Sequence, residues 1–216
     1  MVDMSGFRNT DIASDNSHVR IGGGALCGAV EIETAKAGVA AVLGQCPSVG
    51  VGGYLLGGGV GPLMSKYGLG CDNILAADLV LADGRQVRAD ARENADLYWA
   101  IRGGGGNFGV ATGFEVALHP VSNVFAGIIT LKSEDGRILL RAFRDVLPMA
   151  PDELTLIGLI AAAPGEKVVL NVQACFMPGS QPCDNEGMAE RMECRFVAPV
   201  PGAQSKTAHQ DPKTLS

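Results

Sequence analysis

Residues Gly44–Gly61 read GQCPSVGVGGYLLGGGVG. Eight of these eighteen positions are glycine, and a single cysteine stands near the front. Glycine at this density means backbone that approaches something closely, or backbone at positive φ, because no Cβ intervenes. The interspersed Val, Tyr and Leu are apolar, which separates the stretch from a Gly/Ser linker. Two readings follow. One is a wall of backbone N–H groups laid against a flat or polyanionic ligand. The other is a set of tight turns inside a β-rich core.

On the N-terminal side, HVRIG at 18–22 reads as a short strand that runs into Gly22–Gly24. Ala25–Ala37 has helical spacing, with Leu26, Val30 and Ala37 on one face and Gly38 as its stop. Val39–Leu43 is a short apolar approach to the glycine stretch. On the C-terminal side, Pro62–Tyr67 suits a helical turn that Gly68 ends. Asp72–Ala82 and Arg85–Arg88 read as two strands joined by a two-residue Asp83-Gly84 hairpin. Asn94–Ile101 reads as a short helix, and a second glycine cluster follows, RGGGGNFG at 102–109. Val110–Leu118 alternates like a strand, and Pro120 ends it.

Beyond Pro120 the pattern becomes strand (Phe125–Leu131), helix (Glu134–Leu147), strand (Leu154–Ala162) and strand (Lys167–Phe176). This order marks a separate α+β unit. From about residue 178 no period is sustained and breakers are frequent. An irregular tail is expected there, with a short helix around Asn185–Cys194.

Composition limits the function. The 216 residues include 17 basic and 23 acidic side chains, a net charge of −6, beside 47% hydrophobic residues. A core is affordable on that content, and no basic cluster offers a nucleic-acid surface. No apolar run reaches the length of a membrane span, and the first residues lack the build of a signal peptide. The compartment is left unknown, cytoplasmic by default, since a signal peptide would be lost with a missing N-terminus. The six cysteines, Cys27, Cys46, Cys71, Cys175, Cys183 and Cys194, form no C-x-x-C pair. His18, His119 and His209 are not spaced with them as a zinc site requires, so no metal is expected. Most of these thiols read as small buried hydrophobes. Cys46 stands apart, at the mouth of the glycine stretch and before a rigid Pro47.

Gly104–Gly109 matches G-x-G-x-x-G, but it follows a helix and opens a strand. A nicotinamide-nucleotide site needs the reverse order. Neither a G-x-x-x-x-G-K-[ST] loop nor a G-x-S-x-G elbow occurs.

Several ordered motifs together resemble a known family. They are CPSVGVGGYLLGGGVG at 46–61, SKYGLGCDN at 65–73, Asp83-Gly84, NADLYW at 94–99, RGGGGNFG at 102–109, and Thr112–Phe114 before His119-Pro120. This series is similar to the FAD-linked oxidases of the berberine-bridge-enzyme type, in the vanillyl-alcohol-oxidase/PCMH flavoprotein superfamily. The resemblance is close over about 1–120 and looser over 121–177.

The resemblance implies an α+β fold: a PCMH-type FAD-binding subdomain over 1–120, part of an α+β substrate domain over 121–177, and the tail at 178–216. It implies FAD as cofactor, a small-molecule substrate (an alcohol, a sugar or an amine-bearing metabolite), hydride transfer to flavin, and oxygen as acceptor. It places Cys46, Pro47, Ser48, Val49, Gly50, Gly52, Gly53, Tyr54, Gly57, Gly58, Gly59 and Gly61 along the flavin and pyrophosphate. Asn107, Gly109 and Val110 fall by the adenine. Cys46 matches the cysteine that forms a thioether to the ring in members with a doubly attached flavin. Tyr54 falls where relatives place a polar ring near the pyrimidine edge; the alternative for it is plain core packing.

The same resemblance makes residues 1–8 the strand after a Gly-Gly-His loop that this sequence does not contain. It also places the family's catalytic base beyond the matched part, so no base is assigned. A truncated chain is expected on that ground. The alternative function is a non-catalytic fragment that keeps the flavin-domain fold without holding FAD stably.

Overall fold

The computed structural model describes residues 2–121 and 124–177, together with the backbone of 207–209. The chain divides into two compact units, Met1–Ser122 and Asn123–Ser216.

The first unit is built on a five-stranded antiparallel sheet. Its strands are β1 (Thr10–Ile12), β2 (His18–Gly22), β4 (Ile74–Val80), β5 (Gln86–Asp90) and β6 (Val110–Ala117), in the order β1-β2-β6-β4-β5. The alternation read in 110–118 is the pleat of β6, regular from Phe114 to Val116 and stepped by one residue between Ala111 and Phe114, where its register against β4 shifts. Between the strands lie helices α1 (Cys27–Lys36), α2 (Val51–Leu56), α3 (Met64–Tyr67) and α4 (Ala95–Ile101). A two-residue pairing of β3 (Val39–Ala40) with β7 (His119–Pro120) ties the end of α1 to the end of β6. The core gathers Val19, Ile21, Val30, Leu55, Ile74, Leu79, Ile101 and Val116, each almost wholly removed from water. Each such side chain contributes roughly 1.5–3 kcal/mol.

Several expectations change. The segment 1–8 forms no strand: a turn at Ser5-Gly6 interrupts it, and the edge strand is β1, further on. The glycine stretch is not one extended wall, because α2 forms within it. The Asp83-Gly84 hairpin is a three-residue loop, not a two-residue one. Leu81 N–H donates to Arg85 O, Gly84 N–H donates to Leu81 O, and Gly84 takes φ +84°. That is a type I turn closed by a left-handed glycine.

The second unit contains β8 (Phe125–Ser133), α5 (Gly136–Val146), β9 (Leu154–Ala161), β10 (Val168–Phe176) and β11 (Thr207–His209). The sheet order is β11-β8-β10-β9, all antiparallel. Asp135 caps α5 by accepting the Arg137 amide at 2.9 Å. Leu139, Ala142 and Val146, spaced three and four apart, turn one face of α5 onto Ile129, Leu131, Leu170 and Val172. Within the segment read as an irregular tail, β11 is a strand: its register against β8 is set by backbone pairing, which side-chain patterning does not encode. The helix expected at Asn185–Cys194 lies outside the described residues.

Gly22–Gly24 marks a crossing of chains in the first unit. Gly23 N–H donates to Thr112 O at 2.8 Å, and Gly24 N–H to Phe7 O at 2.8 Å. A Cβ on Gly23 would fall on the Ala111 carbonyl oxygen, which is backbone and cannot swing aside. Gly23→Ala is expected to lower stability by roughly 1–3 kcal/mol in urea unfolding, with Gly53→Ala, whose Cβ meets nothing, as the control that keeps it.

Candidate functional site

The glycine stretch enters the structure as a turn. Val49 N–H donates to Cys46 O at 3.1 Å, with Pro47 at the second turn position, where its fixed φ is an advantage. The turn is fastened to the start of α1. Cys27 N–H donates to Val49 O at 2.9 Å and Gly28 N–H to Pro47 O at 3.1 Å. These satisfy two of the amides that a helix start leaves free, and Leu26 supplies no side-chain cap. Gly28 is needed there, since a Cβ would sit 3.0 Å from Pro47 Cα. Val51 N–H then donates to Ala25 O at 2.9 Å, and α2 begins.

The glycines separate into two sets. Gly44, Gly52, Gly59 and Gly61 face inward. A Cβ on Gly52 would lie 2.7 Å from Gly23 O, and one on Gly61 would strike Leu43 O. Gly44 and Gly59 lie against the Tyr54 ring, and so does Gly70, which follows the stretch. Gly50, Gly53 and Gly58 face open space, Gly58 at φ +108°. Gly57 is exposed at the end of α2. The tight-packing reading therefore holds for one set, which packs the core, and the other set leaves a bare backbone surface.

Cys46, Pro47, Ser48 and Val49 are exposed at one end of that surface. Cys46 Sγ lies 3.3 Å from Ser48 Oγ. Hydrogen bonds from the Ser48 hydroxyl and amide, with a smaller one from the Val49 amide, hold the Cys46 thiol below its ordinary pKa. Burial pushes the Cys27 and Cys71 thiols the other way. Among the described cysteines, Cys46 is the exposed one.

Tyr54 points inward from α2. Its hydroxyl is buried without a hydrogen-bond partner. Burial drives its pKa well up, and Cys27, Glu31 and Cys71 add to the effect. Glu31, half-buried on α1, is also raised by burial.

The second cluster meets the other end of α2, where Gly103 N–H donates to Leu56 O at 3.1 Å. Asn107 is exposed and spends its side-chain amide on Gly104 O at 2.9 Å. Gly109 sits at φ +149°, where a Cβ would lie 2.7 Å from Val80 O, and Val110 opens β6 beside Val80. A six-residue α2, about 9 Å long, thus separates the Cys46 turn from the cluster at 103–110.

A surface cavity of about 460 Å³ opens beside this cluster, between Trp99, Phe108, Arg102 and Asp72. Sequence reading assigned no role to these side chains. Arg102 is anchored by Cys71 O at 3.0 Å and Asp72 Oδ1 at 3.2 Å, pairings between residues some thirty positions apart.

Comparison with known proteins agrees with this geometry. Residues 1–90 match the FAD binding domain family. (R)-6-hydroxynicotine oxidase of Paenarthrobacter nicotinovorans is 45% identical over 157 residues, 71% of this chain and 34% of that protein. A glucooligosaccharide oxidase of Acremonium strictum, described as carrying a 6-S-cysteinyl, 8α-N1-histidyl FAD, superposes with a TM-score of 0.81. It is 27% identical, with 99% of this chain and 44% of that one covered. The berberine-bridge-enzyme-like protein 1 of Physcomitrella patens, as its D396N variant, gives 0.78 at 29% identity, covering 96% and 44%.

The chain belongs to the vanillyl-alcohol-oxidase/PCMH superfamily of flavoproteins, and the cofactor of its FAD-binding domain is FAD. It spans about a third of the length of the nicotine oxidase it matches. The residues present suit that group: an open glycine surface, an exposed activated thiol at its edge, and a buried hydroxyl with an unspent donor. Among the described residues no cluster of metal ligands occurs, and no helix is long and apolar enough to cross a membrane.

Two predictions follow from the buried groups. An unpartnered buried hydroxyl costs stability, so Tyr54→Phe should raise the melting point of the FAD-free protein, by the equivalent of about 1 kcal/mol. For Glu31, the folded pKa lies above the unfolded one. The folded state then binds the proton more tightly, and stability falls as pH rises through the unfolded and then the folded pKa. Glu31→Gln should be more stable than the parent at neutral pH, with the difference vanishing in acid, as read by urea titrations at both pH values.

Proposed function

We propose that this chain carries the flavin-holding part of an FAD-dependent oxidoreductase acting on a small organic substrate, an alcohol, a sugar or an amine-bearing metabolite, with dioxygen as electron acceptor. The observation that carries the reading is the exposed Cys46, set in a rigid turn with Ser48 Oγ at 3.3 Å from its sulfur, at the edge of a bare glycine surface. FAD, when bound, supplies the electrophilic ring that accepts a hydride.

The chain's own residues take these roles. Gly50, Gly53, Gly57 and Gly58 let the backbone approach a flat ring and its phosphates without a side chain between. Cys46 Sγ tethers the ring as a thioether, a role suited to a soft nucleophile with a lowered pKa. Such a C–S bond would replace a ring C–H bond: the ring proton would leave to solvent, and two electrons, with two protons from solvent, would reduce dioxygen to hydrogen peroxide. The Tyr54 ring packs beneath the glycine surface against Gly44, Gly59 and Gly61, with its unpartnered hydroxyl inside the fold, and so supports the backbone that would meet the flavin ring. Gly109 and Val110 offer backbone to the adenine. Gly44, Gly52, Gly59 and Gly61 support the surface from beneath and do not face it.

Two relatives support the substrate class: one is named an oxidase of 6-hydroxynicotine and the other of glucooligosaccharides. The test is a visible spectrum of the purified protein, repeated on its acid-precipitated, washed pellet. Yellow colour retained by the pellet, and lost from it in a folded Cys46→Ala variant, is the expected result. Flavin that stays on denatured Cys46→Ala refutes the thioether. A colourless protein that takes up no added FAD overturns the oxidoreductase reading in favour of a fold without its cofactor.

A further inference from the structure

Cys46 needs a source of activation, and the usual sources are missing from its surroundings. The groups that lower its pKa are hydrogen-bond donors of Ser48 and Val49, with no cation among them. The element packed beneath the turn is the start of α1, whose ionisable groups there are Cys27 and Glu31, both pushed toward their neutral forms by burial. The following helix brings only Tyr54, whose phenol is pushed the same way. Stabilisation of a sulfur anion therefore falls to dipoles in the turn itself.

The turn is built to aim them. Cys46 occupies its first position and directs Sγ back toward residue 48, as the side chain of an Asp does in an Asx turn. The turn's own bond, Val49 N–H to Cys46 O at 3.1 Å, fixes the loop. The bonds from Cys27 and Gly28 to Val49 O and Pro47 O hold it from below. Within that frame Ser48 Oγ stands 3.3 Å from Sγ. When the sulfur is an anion it carries no proton, so the hydroxyl must be the donor.

We propose that Ser48 is a positioning residue: its hydroxyl donates to Cys46 Sγ, favours the thiolate and points it out of the turn at the flavin ring. The proposal rests on the Cys46 tether described above for its purpose, though the thiolate itself can be measured without FAD. In the tethering step the lone pair of Sγ forms the C–S bond. Ser48 keeps its proton throughout, and the ring's proton and two electrons leave to solvent and dioxygen. Ser48 thus sets how readily the sulfur reacts without entering the bond.

The experiment is alkylation of the FAD-free protein with iodoacetamide across pH, with modification at Cys46 read by peptide mass, for the parent, Ser48→Ala and Ser48→Thr. Ser48 is exposed, so neither variant removes core packing. Losing one hydrogen bond to a charged acceptor should slow Cys46 alkylation at pH 7 by roughly threefold to tenfold in Ser48→Ala. The rates should converge at alkaline pH, where every thiol is ionised, and Ser48→Thr should restore the parent profile. In parallel, the fraction of the bound flavin that the acid pellet retains should fall in Ser48→Ala.

An unchanged pH profile in Ser48→Ala overturns the proposal, and so does a rate lowered equally at every pH. If the parent binds no covalent flavin but the profile shifts, the tether fails and the role of Ser48 toward the thiolate stands. If the parent is covalently flavinylated and the profile does not shift, the tether stands and Ser48 has no part in it.

Discussion

The first unit depends on a backbone seam between residues 23–28 and 47–52. Three backbone hydrogen bonds make it, from Cys27 N–H to Val49 O, from Gly28 N–H to Pro47 O and from Val51 N–H to Ala25 O, with a bridge between Leu26 and Gly50. Gly52 passes so close to the Gly23 carbonyl that no side chain fits between. A seam of this kind cannot tolerate a Cβ at the contact points, and it leaves no room for sliding. It fixes where α1 begins, where α2 begins, and how the Cys46 turn projects. The chemistry at the surface is therefore held by main-chain geometry, which loses little rotamer entropy on ordering.

The seam also explains how a site can be bare and rigid at once. Glycines on an unsupported loop would be floppy. Here Gly53 and Gly58 present open backbone while Gly52, Gly59 and Gly61, their neighbours in sequence, are packed against Gly23, the Tyr54 ring and Leu43. Tyr54 is the centre of this support. Its ring fills the space that four glycines leave, and its hydroxyl remains without a partner. A buried donor left unpaired is a cost to the protein alone. Of the two readings of Tyr54 in the sequence, core packing is the one the structure shows.

Much of the architecture was legible because it is carried by local signals. The helix read in 25–37 with Gly38 behind it became α1, with Gly38 at φ +70°, although its buried face is Cys27, Val30 and Thr34 and Leu26 is exposed. The alternation in 110–118 became β6, and the breaks after residue 120 became the start of a second unit. The helix-to-strand order around Gly104–Gly109 also held, since α4 precedes that cluster and β6 follows it. Where the reading failed, the signal was not local. β1 is three residues long and is stabilised by its ladder with β2. The pairing of β11 with β8 spans about eighty residues of chain. Leu81 and Arg85 close a three-residue loop because the twist of β4 and β5 sets the register, although Asp83-Gly84 alone suggests a two-residue turn.

The sequence by itself determined most of the element types, the division near residue 120 and the singular position of Cys46, from periodicity, breakers and residue chemistry. The cofactor came from the resemblance that its ordered motifs bear to a known flavoprotein family. Tertiary structure alone decided which glycines face the core and which face solvent. A glycine has no side chain, so its place in the sequence carries no direction; only the neighbouring backbone, brought in from residues 23, 43 and 70, gives it one. The same holds for the sulfur of Cys46. Its residue type was plain, but its exposure, its Ser48 partner and its separation from the buried thiols of Cys27 and Cys71 exist only once the seam has closed.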